Sequence, residues 1–245
     1  MAFDVTKVKK YLPENCAVEY FDLIGSTNTE LVRRVKEGGA RLGDVIAAGA
    51  QSAGRGRRGN SFSSPDGGIY FSFAAKNTDG ALPTVTAGVA VADMLARFGY
   101  DPEIKWVNDV LIGGKKVCGI LAEAVSGTDI CVIGIGINML GDALPAELAD
   151  TATSLDIEGR TPPSAEDAVG MTVSLFNELC RSDAKEITGR YRSYLKLLGE
   201  DIKIKNTGEV CRALDVTERG ELKVSRRDGS VLTLNSGEIS ILIER

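Results

Sequence analysis

Three guanidiniums stand within six residues at Gly54-Arg55-Gly56-Arg57-Arg58-Gly59, and no carboxylate occurs anywhere from 51 to 65. Glycines between the arginines let backbone N–H groups approach a ligand closely, and each guanidinium fork can hold phosphate or carboxylate oxygens in pairs. A mobile loop of this type can close over an anion. The same spacing also suits a solvated basic loop or an arginine–glycine segment that binds RNA. A second constellation, Lys105-Trp106-Val107-Asn108-Asp109, is followed by Lys115-Lys116-Val117-Cys118-Gly119 beyond a Gly113-Gly114 pair. A tight hairpin at those glycines returns Lys116 close to Asn108 and Asp109, which combines a cation, an amide and a carboxylate. That set suits an acyl-phosphate or nucleotide site, and it also suits an ordinary hairpin with exposed charges.

Two smaller features flank these. Gly25-Ser26-Thr27-Asn28 offers hydroxyls and an amide to a polar ligand, although Thr27 and Glu30 also match a capping box. Gly134-Ile135-Gly136-Ile137-Asn138 ends an apolar strand on a polar residue that either faces a pocket or begins a loop. The dinucleotide fingerprint fails there for want of a third glycine opening a helix, and no GxxxxGK[ST] occurs in the chain. With no histidine among its 245 residues, the chain has no imidazole base, Ser-His-Asp triad or HExxH zinc site. Its five cysteines (Cys16, Cys118, Cys131, Cys180, Cys211) are scattered without a CxxC pair. Buried free thiols in a reducing cytoplasm are the expectation, and no metal-ligating set is identified.

Elements must position these groups. Residues 27 to 37 have helical spacing and stop at Gly38-Gly39, 44 to 51 read as a strand, and 52 to 68 form a long glycine-rich loop before a strand at 69 to 74. Pro83 opens a helix over 84 to 98. Strands at 110 to 112, 117 to 122 and 130 to 137 follow, turned by Gly113-Gly114 and Ser126-Gly127. Residues 164 to 167 begin a helix continued by Val169, Val173, Phe176 and Cys180; Ile187, Tyr191, Tyr194 and Leu198 indicate another. Without regular βαβ alternation, the fold expected is α+β: a mixed sheet with flanking helices. After Gly199, five short runs (202 to 205, 209 to 216, 221 to 225, 231 to 234, 239 to 243) are separated by Thr207-Gly208, Arg219-Gly220, Asp228-Gly229 and Ser236-Gly237. Such spacing predicts a small all-β barrel or sandwich at 200–245, appended to a larger unit at 1–199.

Composition agrees with a soluble globular protein, at 43% hydrophobic and 26% charged residues, and no run approaches the ~18 residues of a membrane span. A cytoplasmic location without membrane attachment is expected. Net charge is −5, which argues against a surface built as a whole to grip nucleic acid.

Taken in order, the motifs resemble the biotin protein ligase family. Gly54 to Gly59, then Ser64-Pro65 and Gly68, then Lys105 to Asp109, then Lys116 and Gly119, then Gly134 to Asn138 follow its catalytic-domain pattern over approximately 20 to 245. The resemblance implies a class II aminoacyl-tRNA synthetase-like catalytic domain and a C-terminal Src-homology-3-like barrel. It implies that biotin and MgATP give biotinyl-5'-AMP and pyrophosphate, and that a lysine of a carboxylase's biotin carboxyl carrier domain then takes the biotinyl group and releases AMP. Some members carry an N-terminal DNA-binding repressor domain. Only 25 residues precede Ser26, so a form without DNA-binding function is expected. Family members often pair through sheet edges, which makes a homodimer a further expectation.

Residue by residue, the resemblance puts Ser26, Thr27, Asn28 and Gln51 around the biotin ring system. It puts Gly54, Arg55, Gly56, Arg57 and Arg58 on the covering loop, with Arg57 holding first the carboxylate and then the adenylate phosphate. Lys116, beside Gly119, matches the lysine near the reacting carboxyl. Trp106 belongs to the Lys-Trp-Pro-Asn-Asp motif, Asn108 and Asn138 match nucleotide-side positions, and Asp109 matches a carboxylate that orients or deprotonates the incoming lysine. The physical expectation is that Arg57 and Lys116 neutralise repulsion between carboxylate and α-phosphate. Three positions depart from the pattern: Asn60 replaces an arginine, Phe62 replaces a tryptophan near adenine, and Val107 replaces the motif proline. A lipoate or octanoate protein ligase is the nearest rival, but it needs a long apolar channel where Ser26, Thr27 and Gln51 offer polar recognition. A non-enzymatic RNA-binding protein is the rival from another class.

Overall fold

Period-two alternation decides which side chains of a strand meet on one face, and this chain uses it to build a trough. In the computed structural model, residues 3–78, 80–156, 160–235 and 239–241 are described. β1 (Val18–Ile24), α2 (Thr27–Lys36) and β2 (Val45–Gln51) form one parallel βαβ unit. The strands β3 (Gly68–Lys76), β4 (Pro102–Lys105), β5 (Asp109–Ile112), β6 (Lys115–Ala124) and β7 (Ile130–Asn138) complete a seven-stranded sheet in the order β1-β2-β3-β7-β6-β5-β4. Every pairing but the first is antiparallel. Gly113 and Gly114, at φ 57° and 79°, make the tight β5–β6 turn that only residues tolerant of the left-handed region can supply.

One face of the sheet is sealed by α1 (Val5–Lys9), α3 (Leu82–Arg97), α4 (Ala165–Leu179) and α5 (Ala184–Tyr194). Val45, Ala47, Phe71, Phe73 and Ile133 point into that core, and α3 is apolar nearly all round because it lies inside it. On the other face, among the described residues, α2 is the one helix that packs, where Leu31 and Val35 meet Ile46, Ala74, Val125 and Val132. Further along that face, Ser72 of β3, Gly134 and Gly136 of β7 and Gly119 of β6 follow in register. Small residues and no covering helix leave the middle of this face open.

A second sheet contains β8 (Asp201–Ile204), β9 (Val210–Val216), β10 (Leu222–Ser225), β11 (Val231–Leu234) and β12 (Ile239–Ile241), antiparallel throughout in the order β11-β10-β9-β8-β12. It docks on the first sheet's helical side through specific polar contacts. The Trp106 indole N–H donates to the Gly220 carbonyl at 3.0 Å, Ala81 N–H donates to Arg219 O at 2.9 Å, and Arg192 Nε reaches Asp215 Oδ1 at 2.6 Å.

Several expectations need correction. Helical spacing extends to Leu198, but α5 ends at Tyr194 because Leu195 turns extended and bridges Ile104 of β4. The capping box does not form: Ser26 is the N-cap of α2, and Glu30 turns instead to Arg33 and Arg34. Cys180 is exposed, while the other four cysteines are buried, and all five are free. α1, β1 and β4 had no clear sequence signal. The expected turn at Ser236-Gly237 and the end of the run 239 to 243 lie outside the described residues. Among the described residues no helix is long and apolar enough to cross a membrane.

Candidate active site

Glycines in the open stretch of sheet are required by what lies on them. A Cβ at Gly119 would come 2.6 Å from the Phe62 ring, one at Gly136 would come 2.4 Å from it, and one at Gly134 would meet Asn28 Oδ1 at 2.4 Å. Over this floor the segment between β2 and β3 arches as a loop, tied by an Arg55–Ser61 bridge and a short 3-10 turn at Arg57–Gly59. Between loop and floor lies a cavity of about 290 Å³.

Its floor is polar and internally matched. Thr27 N–H donates to Gln51 Oε1 at 2.9 Å, the Thr27 and Ser72 hydroxyls stand 2.8 Å apart, and Ser72 Oγ donates to Asn28 Oδ1 at 3.0 Å. Asn28 Nδ2 donates to Glu123 Oε2 at 2.5 Å. On the other side, Gln51 Nε2 donates to Ser64 Oγ at 2.9 Å, which donates to the Phe62 carbonyl at 2.9 Å. Ser26, Thr27, Asn28, Ser64 and Ser72 are all buried. Partners of this kind are what make buried hydroxyls and amides tolerable.

The walls are cationic. Among the described residues Arg55, Arg57, Arg58, Lys105, Lys116 and Lys205 line the cavity against one carboxylate, Asp109. Across the hairpin, Lys116 Nζ lies 2.7 Å from Asp109 Oδ1, and it stands 5.3 Å from the Phe62 ring centroid, within cation–π range. Arg57 Nη1 donates to Asn108 Oδ1 at 3.2 Å, while Asn108 Nδ2 is fixed on the Ile120 carbonyl at 3.0 Å. Beneath them the Cys118 thiol is fully enclosed, and burial pushes its pKa up, so it is no nucleophile here. A second cavity of about 510 Å³ adjoins the first, sharing Phe62, Lys105, Asp109, Lys116 and Lys205 and running on past Asn138, Leu148 and Thr151. The two chambers therefore meet at the Lys116–Asp109 pair.

Most residues singled out in the sequence come together: Ser26, Thr27, Asn28, Gln51, Arg55, Gly56, Arg57, Arg58, Phe62, Trp106, Asn108, Asp109, Lys116 and Gly119 all line the first cavity. Gly54 and Asn138 do not. Gly54 lies behind the wall, where a Cβ would come 2.3 Å from Phe62 O, and it lets the loop's two limbs close. Asn138 faces the second cavity, with its Nδ2 on the Thr153 carbonyl at 3.0 Å. Trp106 touches the cavity but is 3% exposed and held by Gly220. Val107, across a cis peptide from Trp106, is buried, and its carbonyl accepts from Tyr191 Oη at 3.0 Å, so the segment is anchored at both residues. Asn60 closes the turn by accepting from Gly56 N–H at 2.7 Å. Lys105, the first residue of the second constellation, lines the cavity as well, whereas sequence reasoning missed Ser72, Glu123 and Lys205. A lone serine in an apolar strand run was the available signal for Ser72; Lys205 had none.

A model of the biotin/lipoate A/B protein ligase family matches residues 20–139, which carry all of these motifs. That stretch, just under half of the chain, carries this family's domain. Among curated relatives, the Mycobacterium tuberculosis "Biotin--[acetyl-CoA-carboxylase] ligase" is 29% identical over 234 residues, 88% of this chain and 85% of its own. The "Bifunctional ligase/repressor BirA" of Bacillus spizizenii is 38% identical over 148 residues, 56% of this chain. That match spans only 45% of the BirA chain. Among solved structures, the Aquifex aeolicus biotin protein ligase in complex with biotin and ATP superposes with a TM-score of 0.78 at 27% identity, covering 93% of this chain and 99% of that one. The superposed length extends beyond the residues matched by the family model, so the likeness takes in the second sheet as well.

Proposed function

We propose that the protein is a biotin protein ligase. One observation carries the reading: two chambers meet at Lys116 and Asp109, and the described residues lining the first include six cations and one carboxylate, in a chain of net charge −5. Such a junction suits the joining of two anions, a carboxylate and a triphosphate, which repel one another in water. The polar floor of Ser26, Thr27, Asn28 and Gln51 suits a ureido group better than an acyl chain.

In this reading a biotin carboxylate oxygen attacks the α-phosphorus of ATP, a P–O bond breaks and pyrophosphate leaves. Arg57 and Lys116 hold the two reacting anions together and stabilise charge on the bridging oxygens. Phe62 offers its ring to the nucleotide base. In the second step the carrier lysine amine attacks the mixed anhydride, its proton passes to Asp109, and AMP departs with the C–O electron pair. Magnesium would come on the phosphates as MgATP, as expected of an ion that keeps its waters and needs few carboxylates.

The same reading makes 1–199 the biotin- and ATP-binding unit, of class II synthetase-like type. It makes 200–245 a Src-homology-3-like barrel, and the enzyme cytoplasmic. Incubation with biotin, MgATP and a biotin carboxyl carrier domain, followed by mass spectrometry, is expected to give one biotinyl-lysine adduct. Pyrophosphate exchange driven by lipoate and not by biotin would overturn the assignment.

A further inference from the structure

We propose that Glu123 is a positioning residue that latches the arginine–glycine loop and couples the latch to the cavity floor; the coupling to ligand rests on reading that cavity as the biotin site. Glu123 lines neither cavity, yet it sits where two systems meet. From outside, Arg55 grips it with both nitrogens, Nη1 to Oε2 at 2.9 Å and Nη2 to Oε1 at 2.7 Å, across 68 residues of chain. From inside, Asn28 Nδ2 donates to Oε2 at 2.5 Å.

Proton counting gives this contact a direction. The Glu123 carboxylate only accepts, so Asn28 turns its nitrogen to Glu123 and its oxygen to Ser72, whose one hydroxyl proton it takes. The Thr27 hydroxyl then shares its proton between Ser72 Oγ at 2.8 Å and Gln51 Oε1 at 3.2 Å. At the other end Gln51 accepts from Thr27 N–H and donates to Ser64, which donates to the carbonyl of Phe62. Arg55 and Phe62 belong to the same loop. The chain of hydrogen bonds therefore leaves the loop at Arg55, crosses the floor through Glu123, Asn28, Ser72, Thr27, Gln51 and Ser64, and re-enters the loop at Phe62. A ligand group that bonds Thr27 or Asn28 acts on both ends of the loop at once, and Glu123 is the link at which neutral hydrogen bonding becomes a charged, bidentate grip.

Glu123→Gln separates the two functions, because an amide oxygen still accepts from Asn28 while the charge facing Arg55 is gone. Without ligand, trypsin cleavage after Arg57 and Arg58, read by mass spectrometry, is expected to quicken roughly two- to fivefold in Glu123→Gln, the size of a partly exposed ion pair. Arg55→Met is expected to do the same, and the double variant to be no faster than either single one. With biotin, the parent loop becomes protected; in Glu123→Gln the biotin KM of pyrophosphate exchange rises by a similar factor while kcat at saturation stays within about twofold. Unchanged ligand-free cleavage, or additive effects in the double variant, would overturn the latch. Raised cleavage with an unchanged biotin KM would overturn the coupling. A parent protein that exchanges no pyrophosphate with biotin would instead count against the biotin reading, leaving the ligand-free arm to decide the latch. Should Glu123→Gln lose its native circular dichroism, the surface variant Arg55→Met carries the cleavage test alone, and parental cleavage there refutes the latch.

Discussion

Lys116 and Asp109 form one ion pair in the structure, yet the proposed chemistry gives them different steps, and that difference can be measured. Replacing Lys116 by methionine keeps most of the stem's volume and removes the charge. In the resting protein the pair is partly solvated, with side chains 32% and 24% exposed, so its loss costs little stability. The cost falls when anions arrive. An ammonium about 4 Å from a reacting oxygen is worth ~4 kcal/mol at an effective dielectric of ~20. Arg57 and the other wall cations share that load, so a loss of about 3 kcal/mol, or a factor of roughly 10² in adenylation rate, is expected.

Asp109→Asn acts in the opposite sense on the first step. It releases Lys116 from its partner, so pyrophosphate exchange is expected to stay within about fivefold of the parent, whereas transfer loses a proton acceptor and falls by ~10² or more. Pyrophosphate exchange reads the first step. Single-turnover transfer from preformed biotinyl-adenylate to the carrier domain reads the second. Crossed phenotypes support separate roles. Exchange in Lys116→Met within tenfold of the parent would refute the charge argument, and equal losses in both steps for both variants would mean that the pair acts only by shaping the hairpin.

Three further outcomes follow from contacts away from that pair. Gly136→Ala places a Cβ 2.4 Å from the Phe62 ring and 3.2 Å from Tyr70 Cδ1; the half-buried Phe62 yields, so unfolding should shift by no more than ~1–2 kcal/mol while the KM for ATP rises severalfold. A stable variant with parental KM would show that the ring has no part in nucleotide binding. Trp106→Phe leaves the buried Gly220 carbonyl without its donor, which costs about 1–3 kcal/mol, or roughly 2–4 °C in Tm for each kcal/mol at this chain length; an unchanged Tm would refute the clamp. Arg33 and Arg34 hold the Glu30 carboxyl down at about 2, below its usual value near 4.5. Its stabilising effect is therefore complete above 4.5 and is lost as pH falls toward 2, so the stability gap between parent and Glu30→Gln in denaturant melts should narrow over that window. A gap independent of pH would rule the pair out.

What could be read from the sequence was what depends on near neighbours. The Gly113-Gly114 turn, the Ser164 cap and the Lys116–Asp109 approach each need only a few residues of context, and all three formed. Thr27 shows how local context misleads. Its spacing to Glu30 satisfied a capping pattern, but two arginines on the next turn claimed Glu30 and the neighbouring sheet claimed Thr27. Glu123 was invisible for a stronger reason: its partners lie 68 and 95 residues away and meet it only because the sheet runs β3-β7-β6 rather than in chain order. β1 escaped notice because an edge strand with half its positions solvated has no strict alternation to read.

The placement of charge ties these observations together. Carboxylates outnumber cations in the chain as a whole, 34 to 29, yet among the described residues that line the first cavity the balance is reversed, one to six. An acidic exterior discourages loose binding to nucleic acid, and a recessed cationic wall draws small anions in. That arrangement is unfavourable for an RNA-binding surface and favourable for a site that must hold a carboxylate against a triphosphate. It also accounts for a chain with no histidine. When activation comes from the phosphoanhydride and the nucleophile arrives on another protein, the site needs fixed positive charge more than a group that titrates near neutrality. The adenylation rate should therefore be free of any imidazole limb near pH ~6.5, while transfer should rise with deprotonation of the acceptor amine, a group with a pKa of ~10.4 when unperturbed. Stopped-flow or quench measurements of each step across pH check this. A limb near 6.5 that persists when the substrate phosphates are exchanged for analogues of different pKa would show that a carboxylate of the enzyme, and not fixed charge, governs the first step.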